Sequence, residues 1–270
     1  MRLQTLVVSL VLLMIGFVSP SDARDRGADG KFSKRESSHF VLFQDVAIDE
    51  SGGLRGSRNF EDQVLGVLES AYESVDVLLG MRPRRAITVT VWDPAVFDSN
   101  FAGLFRFPAA GFYGDSIHIR GGTVVTQQLV RVLHHELVHA SFHSEAPSLV
   151  LPAWFNEGVS EWFEARATGQ RGVSPQRWGY LQQQARKGGL FTFAQLSQRS
   201  FAGFSGNSAG AAYLQSYAFI DYLARTYGDR RVRDLVREQL RTLDLERSFS
   251  KTFRKPLDRL EKDWQAELKS

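Results

Sequence analysis

The feature that most constrains this chain is the pentapeptide H-E-L-V-H at positions 135 to 139, which has the H-E-x-x-H pattern. Residues four apart lie on one face of a helix, so His135 and His139 can present two imidazoles to one metal ion. Glu136 lies beside them, where its carboxylate can take a proton from a water that the metal activates. Apolar residues recur at helical spacing around the motif, and neither Gly nor Pro interrupts it. The segment therefore predicts a metal-binding helix.

A catalytic zinc ion needs a third protein ligand and one open position. The neighbouring His134 cannot supply it, because the residue four positions later is a valine, and the chain lacks the histidine of the longer three-histidine pattern. Glu157, 18 positions after His139, is the better candidate, on a second helix that begins near Trp154. Glu161 lies one turn later on the same face. One of these carboxylates can bind the metal while the other accepts the free N–H of a ligand histidine.

The pairing of H-E-L-V-H with L-P-A-W-F-N-E-G-V-S-E at 151 to 161 resembles the gluzincin metallopeptidases, and most closely the peptidase MA-like group of small bacterial gluzincins. This resemblance implies a Zn²⁺ ion held by His135, His139 and Glu157. It also implies Glu136 as the general base, with Glu161 in the second layer of contacts around the metal.

A further hydrogen-bond donor is needed to stabilise the oxyanion that forms during hydrolysis. All six histidines lie at or before position 143, so a later histidine is excluded and a tyrosine is the remaining common donor. Tyr213 aligns with the catalytic tyrosine of the aminopeptidase N family, although Ser216 stands where that family has glycine. Tyr217, one turn further on, is the alternative.

The resemblance also places a substrate-binding edge strand just before the metal-binding helix, at 110 to 116. Related aminopeptidases carry a glutamate here that holds the free amine of the substrate. This chain has no glutamate between Glu73 and Glu136. Its absence favours endopeptidase action over aminopeptidase action.

The N-terminus predicts export. Arg2, an apolar run from 6 to 18 and a small-residue site after Ala23 form the pattern of a signal peptide, residues 1–23. The run is shorter than the roughly 20 residues that span a bilayer, so a signal anchor is less favoured, and no second apolar run is long enough. A periplasmic or secreted location is expected. The absence of cysteine excludes disulfides and thiolate metal ligands.

The remaining chain predicts an α+β, zincin-like fold. Residues 24–37 are interpreted as a flexible linker and 38–270 as one metallopeptidase domain. Its N-terminal lobe, to about 143, would hold a small mixed sheet and one packed helix, and a helical lobe would begin at about 153. Strands are expected at 39–43, 87–92 and 111–120, and a helix at 60–79. The net charge of +3 is modest, and no nucleic-acid-binding motif accompanies it.

These observations predict an exported endopeptidase that hydrolyses peptide or protein substrates with a metal-activated water. Two alternatives stay open. One is a catalytically silent gluzincin-like scaffold that binds an envelope partner, and the other is a zinc amidase that acts on cell-wall peptides. Metal content separates the first alternative from the enzymes, because a silent scaffold needs no zinc.

Overall fold

The computed structural model describes residues 32–45, 54–101, 104, 110–122 and 124–270. The predicted signal peptide at 1–23 and the first part of the predicted linker, 24–31, lie outside these residues. No helix within the described ranges has both the length and the apolar character needed to cross a membrane.

One mixed five-stranded sheet forms the N-terminal part of the protein. Its strands are β1 (Phe32–Glu36), β2 (Phe40–Asp45), β3 (Ile87–Trp92), β4 (Gly111–Tyr113) and β5 (Ile117–Arg120). The order across the sheet is β1-β2-β3-β5-β4. The three central strands run parallel, and β1 and β4 pair antiparallel at the two edges. Strand β4 is therefore the edge nearest in sequence to the predicted metal-binding helix.

Helices connect β2 to β3 and β3 to β4, and they form all the regular structure among the described residues that follow the sheet. They are α1 (Leu54–Leu79), α2 (Pro94–Phe101), α3 (Gln127–Glu145), α4 (Ala153–Ala167), α5 (Pro175–Lys187), α6 (Phe193–Leu196), α7 (Gly206–Tyr227), α8 (Asp229–Thr242), α9 (Leu245–Phe253) and α10 (Leu257–Lys269). Helix α1 packs on β2 of the sheet and on α3. The predicted α+β class, with a small mixed sheet, a packed helix and a helical C-terminal part, is confirmed.

The linker prediction is wrong for residues 32 to 36, which form β1. This short polar strand pairs with β2 from Phe32 opposite Asp45 to Glu36 opposite Val41. Arg35 also forms ion pairs with Glu61 and Asp62 of α1. These partners lie far away in sequence, so the local composition of basic and polar residues gave no sign of a strand.

The prediction of one strand from Gly111 to Arg120 is also wrong, because the chain turns at Gly114-Asp115-Ser116 and forms the β4–β5 hairpin. Glycine, aspartate and serine are residues that favour turns, and the Gly114 N–H donates to the Ser116 carbonyl at 3.0 Å. Strand β5 keeps the expected alternation, with Ile117 and Ile119 buried on one face. The hairpin makes β4 an edge strand instead of a continuation of β5.

A single hydrophobic cluster extends from Phe40 to Leu268 and includes residues of the sheet and of the C-terminal helices. Trp154, at the start of α4, lies near the middle of its aromatic part. The Trp154 ring stacks on Phe193 at 4.4 Å and meets Phe219 of α7 at 5.7 Å. These contacts fix the N-terminal half of α4, where the predicted third ligand lies.

Candidate metal centre

Helix α3 holds the H-E-x-x-H motif with its two outer histidines directed away from the core. The Thr126 hydroxyl caps the helix by accepting a hydrogen bond from the Leu129 N–H at 3.1 Å. Leu133 and Leu137 are buried in the hydrophobic cluster. His135 and His139 lie on another face, and their ring centroids are 4.9 Å apart. The helical period therefore separates the packing residues from the candidate ligands.

His134 takes no part in this arrangement. Its Nδ1 lies 2.7 Å from the Val130 carbonyl oxygen one turn earlier, and its ring contacts Phe163. Burial lowers the pKa of His134, although the bond to the carbonyl opposes that shift. The ring is thus a core side chain, in agreement with its exclusion from the predicted ligands.

The carboxylate of Glu157 meets both candidate histidines. Its Oε2 lies 3.1 Å from His135 Nε2 and 3.4 Å from His139 Nε2. Two ligand atoms bound tetrahedrally to zinc, each about 2.0–2.1 Å from it, are about 3.3 Å apart. All the donor atoms of this trio lie within 4.8 Å of one another. The three side chains therefore fit a single divalent ion without rearrangement of the backbone.

The electrostatics keep Glu157 ionised. Burial alone would raise the pKa of this carboxyl, but the charge of His139 and the hydrogen bond from His135 outweigh burial and lower its pKa to about 2. An ionised carboxylate is the form that binds metal ions.

The ring nitrogens that face away from Glu157 have polar partners of their own. His139 Nδ1 lies 3.0 Å from Asn156 Oδ1 and 3.5 Å from Ser160 Oγ. An amide oxygen only accepts hydrogen bonds, so this contact favours a proton on Nδ1 of His139. The lone pair then lies on Nε2, the atom directed at Glu157.

His135 Nδ1 faces two carboxylates, Glu164 at 3.7 Å and Glu161 at 3.9 Å. The predicted partner Glu161 is therefore near the ring, but Glu164 is slightly closer. Glu164 is also paired with Arg131, which precedes His135 by one helical turn. His135 with Glu161 and Glu164 could be read as a second metal group by distance alone. The pairing with Arg131 instead favours Glu164 as a group that orients the imidazole.

Sequence reasoning missed Asn156 and Glu164. Asn156 directly precedes Glu157 in the motif, and Glu164 follows Glu161 by three positions on the same helix. Their closeness in sequence to the predicted ligands was the available signal that they lie near the site. Neither role follows from spacing alone, because each depends on how α3 crosses α4.

Glu136 lies where the sheet edge meets α3. Its carboxyl receives a backbone hydrogen bond from Tyr113 of β4, and burial raises its pKa against the opposing charges of His135 and His139. Close approach of the two elements depends on Gly111. A Cβ at that position would lie 2.8 Å from Val132 of α3 and 2.9 Å from the His118 carbonyl oxygen. The edge strand can therefore fix the carboxyl of Glu136 directly.

An open cavity of about 650 Å³ surrounds the histidines and glutamates. Four consecutive residues, from Ala110 to Tyr113, line one side of it, so the outer edge of β4 faces the cavity. Glu136, Glu157 and Glu161 line it from the helices. The opening can admit an extended chain alongside the candidate metal ligands.

Of the two candidate tyrosines, Tyr213 lines this cavity, with its ring centroid 6.4 Å from that of His135. Burial and the nearby carboxylates Glu157 and Glu136 raise the pKa of Tyr213, so its hydroxyl stays protonated. Tyr217 is buried outside the cavity lining, beside Asp221, and burial raises its pKa to about 12.

Comparison with known sequences gives two similarities. Residues 81–270 match the sequence profile of a family described as the Peptidase MA superfamily. The uncharacterized protein YhcO of Bacillus subtilis (strain 168) is 24% identical over 215 residues, which cover 73% of this chain. The same alignment covers 62% of YhcO, so the chain spans less than two thirds of the length of that protein.

Proposed function

Since this chain belongs to the Peptidase MA superfamily, we propose that it is an exported zinc endopeptidase of the gluzincin type. The observation that carries this proposal is the convergence of His135, His139 and Glu157, with Glu136 beside them. Two imidazoles, one carboxylate and a free position form the ligand set of catalytic zinc in peptidases. Zinc is also the ion that suits this set of nitrogen and oxygen donors in a chain without thiols.

When bound, zinc would supply Lewis-acid activation of a water molecule and of the substrate carbonyl. Glu136 would accept the proton of the attacking water and return it to the leaving amine. The raised pKa of Glu136 suits its role as a base, because a carboxylate with a higher pKa is a stronger proton acceptor. Tyr213, protonated at its hydroxyl, would donate a hydrogen bond to the developing oxyanion.

Strand β4 would hold the substrate backbone. Its open edge can add an extended peptide as a further strand, which aligns the chain beside the catalytic groups. The carboxylates of the cavity lie on α3 and α4, and β4 contributes none. This strand therefore offers no carboxylate to hold the free N-terminal amine of a peptide. Its absence supports cleavage within a chain over removal of N-terminal residues. Export rests on the signal-peptide pattern at 1–23.

The test is Glu136→Gln, which keeps the size of the side chain but removes the base. We expect purified wild type and variant to hold equal amounts of zinc, while peptide hydrolysis by the variant falls about 100- to 10,000-fold. The matched control is Glu73→Gln on the exposed side of α1, which should leave hydrolysis unchanged. Metal content is measured by elemental analysis, and hydrolysis with quenched fluorescent peptides.

Three results would contradict the proposal in whole or in part. A wild-type protein without bound metal would favour the silent envelope-binding scaffold. A zinc-containing protein that hydrolyses cell-wall peptides but no other peptide would favour the amidase. Full activity of Glu136→Gln would remove this residue from the mechanism.

A further inference from the structure

Two arginines line the cavity, and they differ in their surroundings. Arg131 is held by Glu164, so its charge is already balanced. Arg199 is exposed at the cavity wall and has no hydrogen bond or ion pair with any residue that the structure describes. A guanidinium that faces a substrate cavity without a partner is available to bind an anionic group of the substrate.

The backbone on both sides of Arg199 is fixed. The carbonyl of Gln198 accepts a hydrogen bond at 2.8 Å from the N–H of Ala153, the first residue of α4. Two residues after Arg199, the Phe201 ring is fully buried and packs edge-on against Tyr213 with their centroids 5.3 Å apart. These anchors connect the position of Arg199 to the helix of Glu157 and to Tyr213. This loop ends at Ser205, which caps α7.

A guanidinium on a fixed backbone loses less conformational freedom on binding than one on a mobile loop. Its planar donors match the geometry of a carboxylate, to which it can donate two parallel hydrogen bonds. Peptides offer this group at an aspartate or glutamate side chain and at the free C-terminus. Among the charged residues that line the cavity, Arg199 is the one cation free for that role in the described part of the chain.

We propose that Arg199 is a specificity-determining residue that selects peptides with a carboxylate close to the scissile bond. This inference rests on the proposed peptidase function. It predicts a preference at one fixed distance from the cleaved bond, because the loop that carries Arg199 is anchored to the same helices as the catalytic groups.

The experiment uses the full exported protein, loaded with zinc, and a set of short synthetic peptides. One acidic residue is moved along an otherwise neutral sequence, each peptide has an Asn or Gln counterpart, and each is made with a free and an amidated C-terminus. Cleavage sites and rates are read by mass spectrometry. Wild type should cleave the carboxylate-containing peptide faster by roughly 10- to 100-fold, the range expected of a charged hydrogen bond.

Arg199→Ala should abolish this preference, and Arg199→Glu should transfer it to peptides with lysine at the same position. The matched control is Arg186→Ala, an exposed arginine on α5 that lies outside the cavity lining. It should keep the wild-type pattern. If peptides with Asp or Glu are cleaved faster whatever their C-terminus, the recognised group is the side-chain carboxylate. If faster cleavage requires a free C-terminus, the recognised group is the terminal carboxylate.

An unchanged cleavage pattern in Arg199→Ala would overturn the inference and leave the peptidase function standing. If wild type cleaves none of the peptides, the proposed function fails. The role of Arg199 is then tested by measuring how tightly acidic peptides bind. Fluorescence anisotropy with labelled peptides would then show weaker binding of acidic peptides to Arg199→Ala than to wild type. Equal binding by the two proteins would refute the role of Arg199 as well.

Discussion

The contact between α4 and α7 provides the sharpest test of how the site is built. Gly158, next to Glu157, lies where these helices cross. A Cβ at this position would lie 2.7 Å from the Ser216 carbonyl oxygen and 3.0 Å from the Ile220 side chain. The carbonyl belongs to the backbone of α7, so it cannot rotate away. To reach an ordinary contact distance of 3.4 Å, the helices must separate locally by about 0.7 Å.

Gly158→Ala combines two opposing effects on the free energy of unfolding. Alanine favours a helix by about 1 kcal/mol over glycine. Overpacking at a rigid contact costs about 1–3 kcal/mol. We expect a net loss of up to about 2 kcal/mol, which lowers the melting temperature by roughly 2–4 °C per kcal/mol in a protein of this size.

The same change should reduce activity by more than the loss of stability explains. Separation of α4 from α7 moves Glu157 away from Tyr213, and in the proposed mechanism these two residues act at one substrate carbonyl. The control is Gly179→Ala in α5, where a Cβ would meet nothing within 4 Å. That variant should be slightly stabilised and fully active. Thermal unfolding and peptide hydrolysis are measured on both variants. A Gly158→Ala protein as stable and active as Gly179→Ala would refute the close-packing argument.

Three other changes have defined outcomes. Tyr213→Phe should lower the rate of hydrolysis about 100- to 1,000-fold without loss of zinc, whereas Tyr217→Phe should leave it intact; equal losses would contradict the assignment. Removal of zinc by a chelator should lower the melting temperature of the wild type. If free zinc was at 100 times its Kd before chelation, the loss corresponds to about 2.7 kcal/mol in the free energy of unfolding. The melting temperature of His135→Ala should not change on chelation. The hydrogen bond from Arg82 lowers the pKa of Asp76 below 3.8. The ionised Asp76 side chain therefore stabilises the fold above pH 3.8, and this stabilisation is lost as the pH falls through the lowered pKa. Asp76→Asn should be less stable at neutral pH by about 0.2–1 kcal/mol and lose less stability on acidification, as measured by melting curves from neutral to acidic pH.

The parts of the site that follow from local geometry could be predicted from the sequence. The helical period alone places His135 and His139 on one face, and the same period relates Glu157 to Glu161. Asn156 and Glu164 were missed because their roles depend on which parts of α3 and α4 face each other. Arg199 was missed for the same reason, since the loop that carries it approaches the cavity only after Phe201 packs on Tyr213.

The fold shows a similar division. Long amphipathic helices and the alternating strand at Ile87–Trp92 were visible in the sequence. Strand β1 was not, because its polar residues are held by pairing with β2. The expected helix at 60–79 begins earlier, at Leu54. Helix α9 was overlooked, although Asp244 caps it and Phe249 and Phe253 share its buried face.

The brevity of β4 restricts what this cavity can accept. An edge of three residues offers few backbone groups, so a partner can pair with it over only a short stretch. A chain coiled into a helix cannot present its N–H and C=O groups to such an edge, since they are already bonded to each other. For the peptidase proposed above, compact folded proteins should therefore resist cleavage, whereas loops, frayed termini and damaged chains should be its substrates.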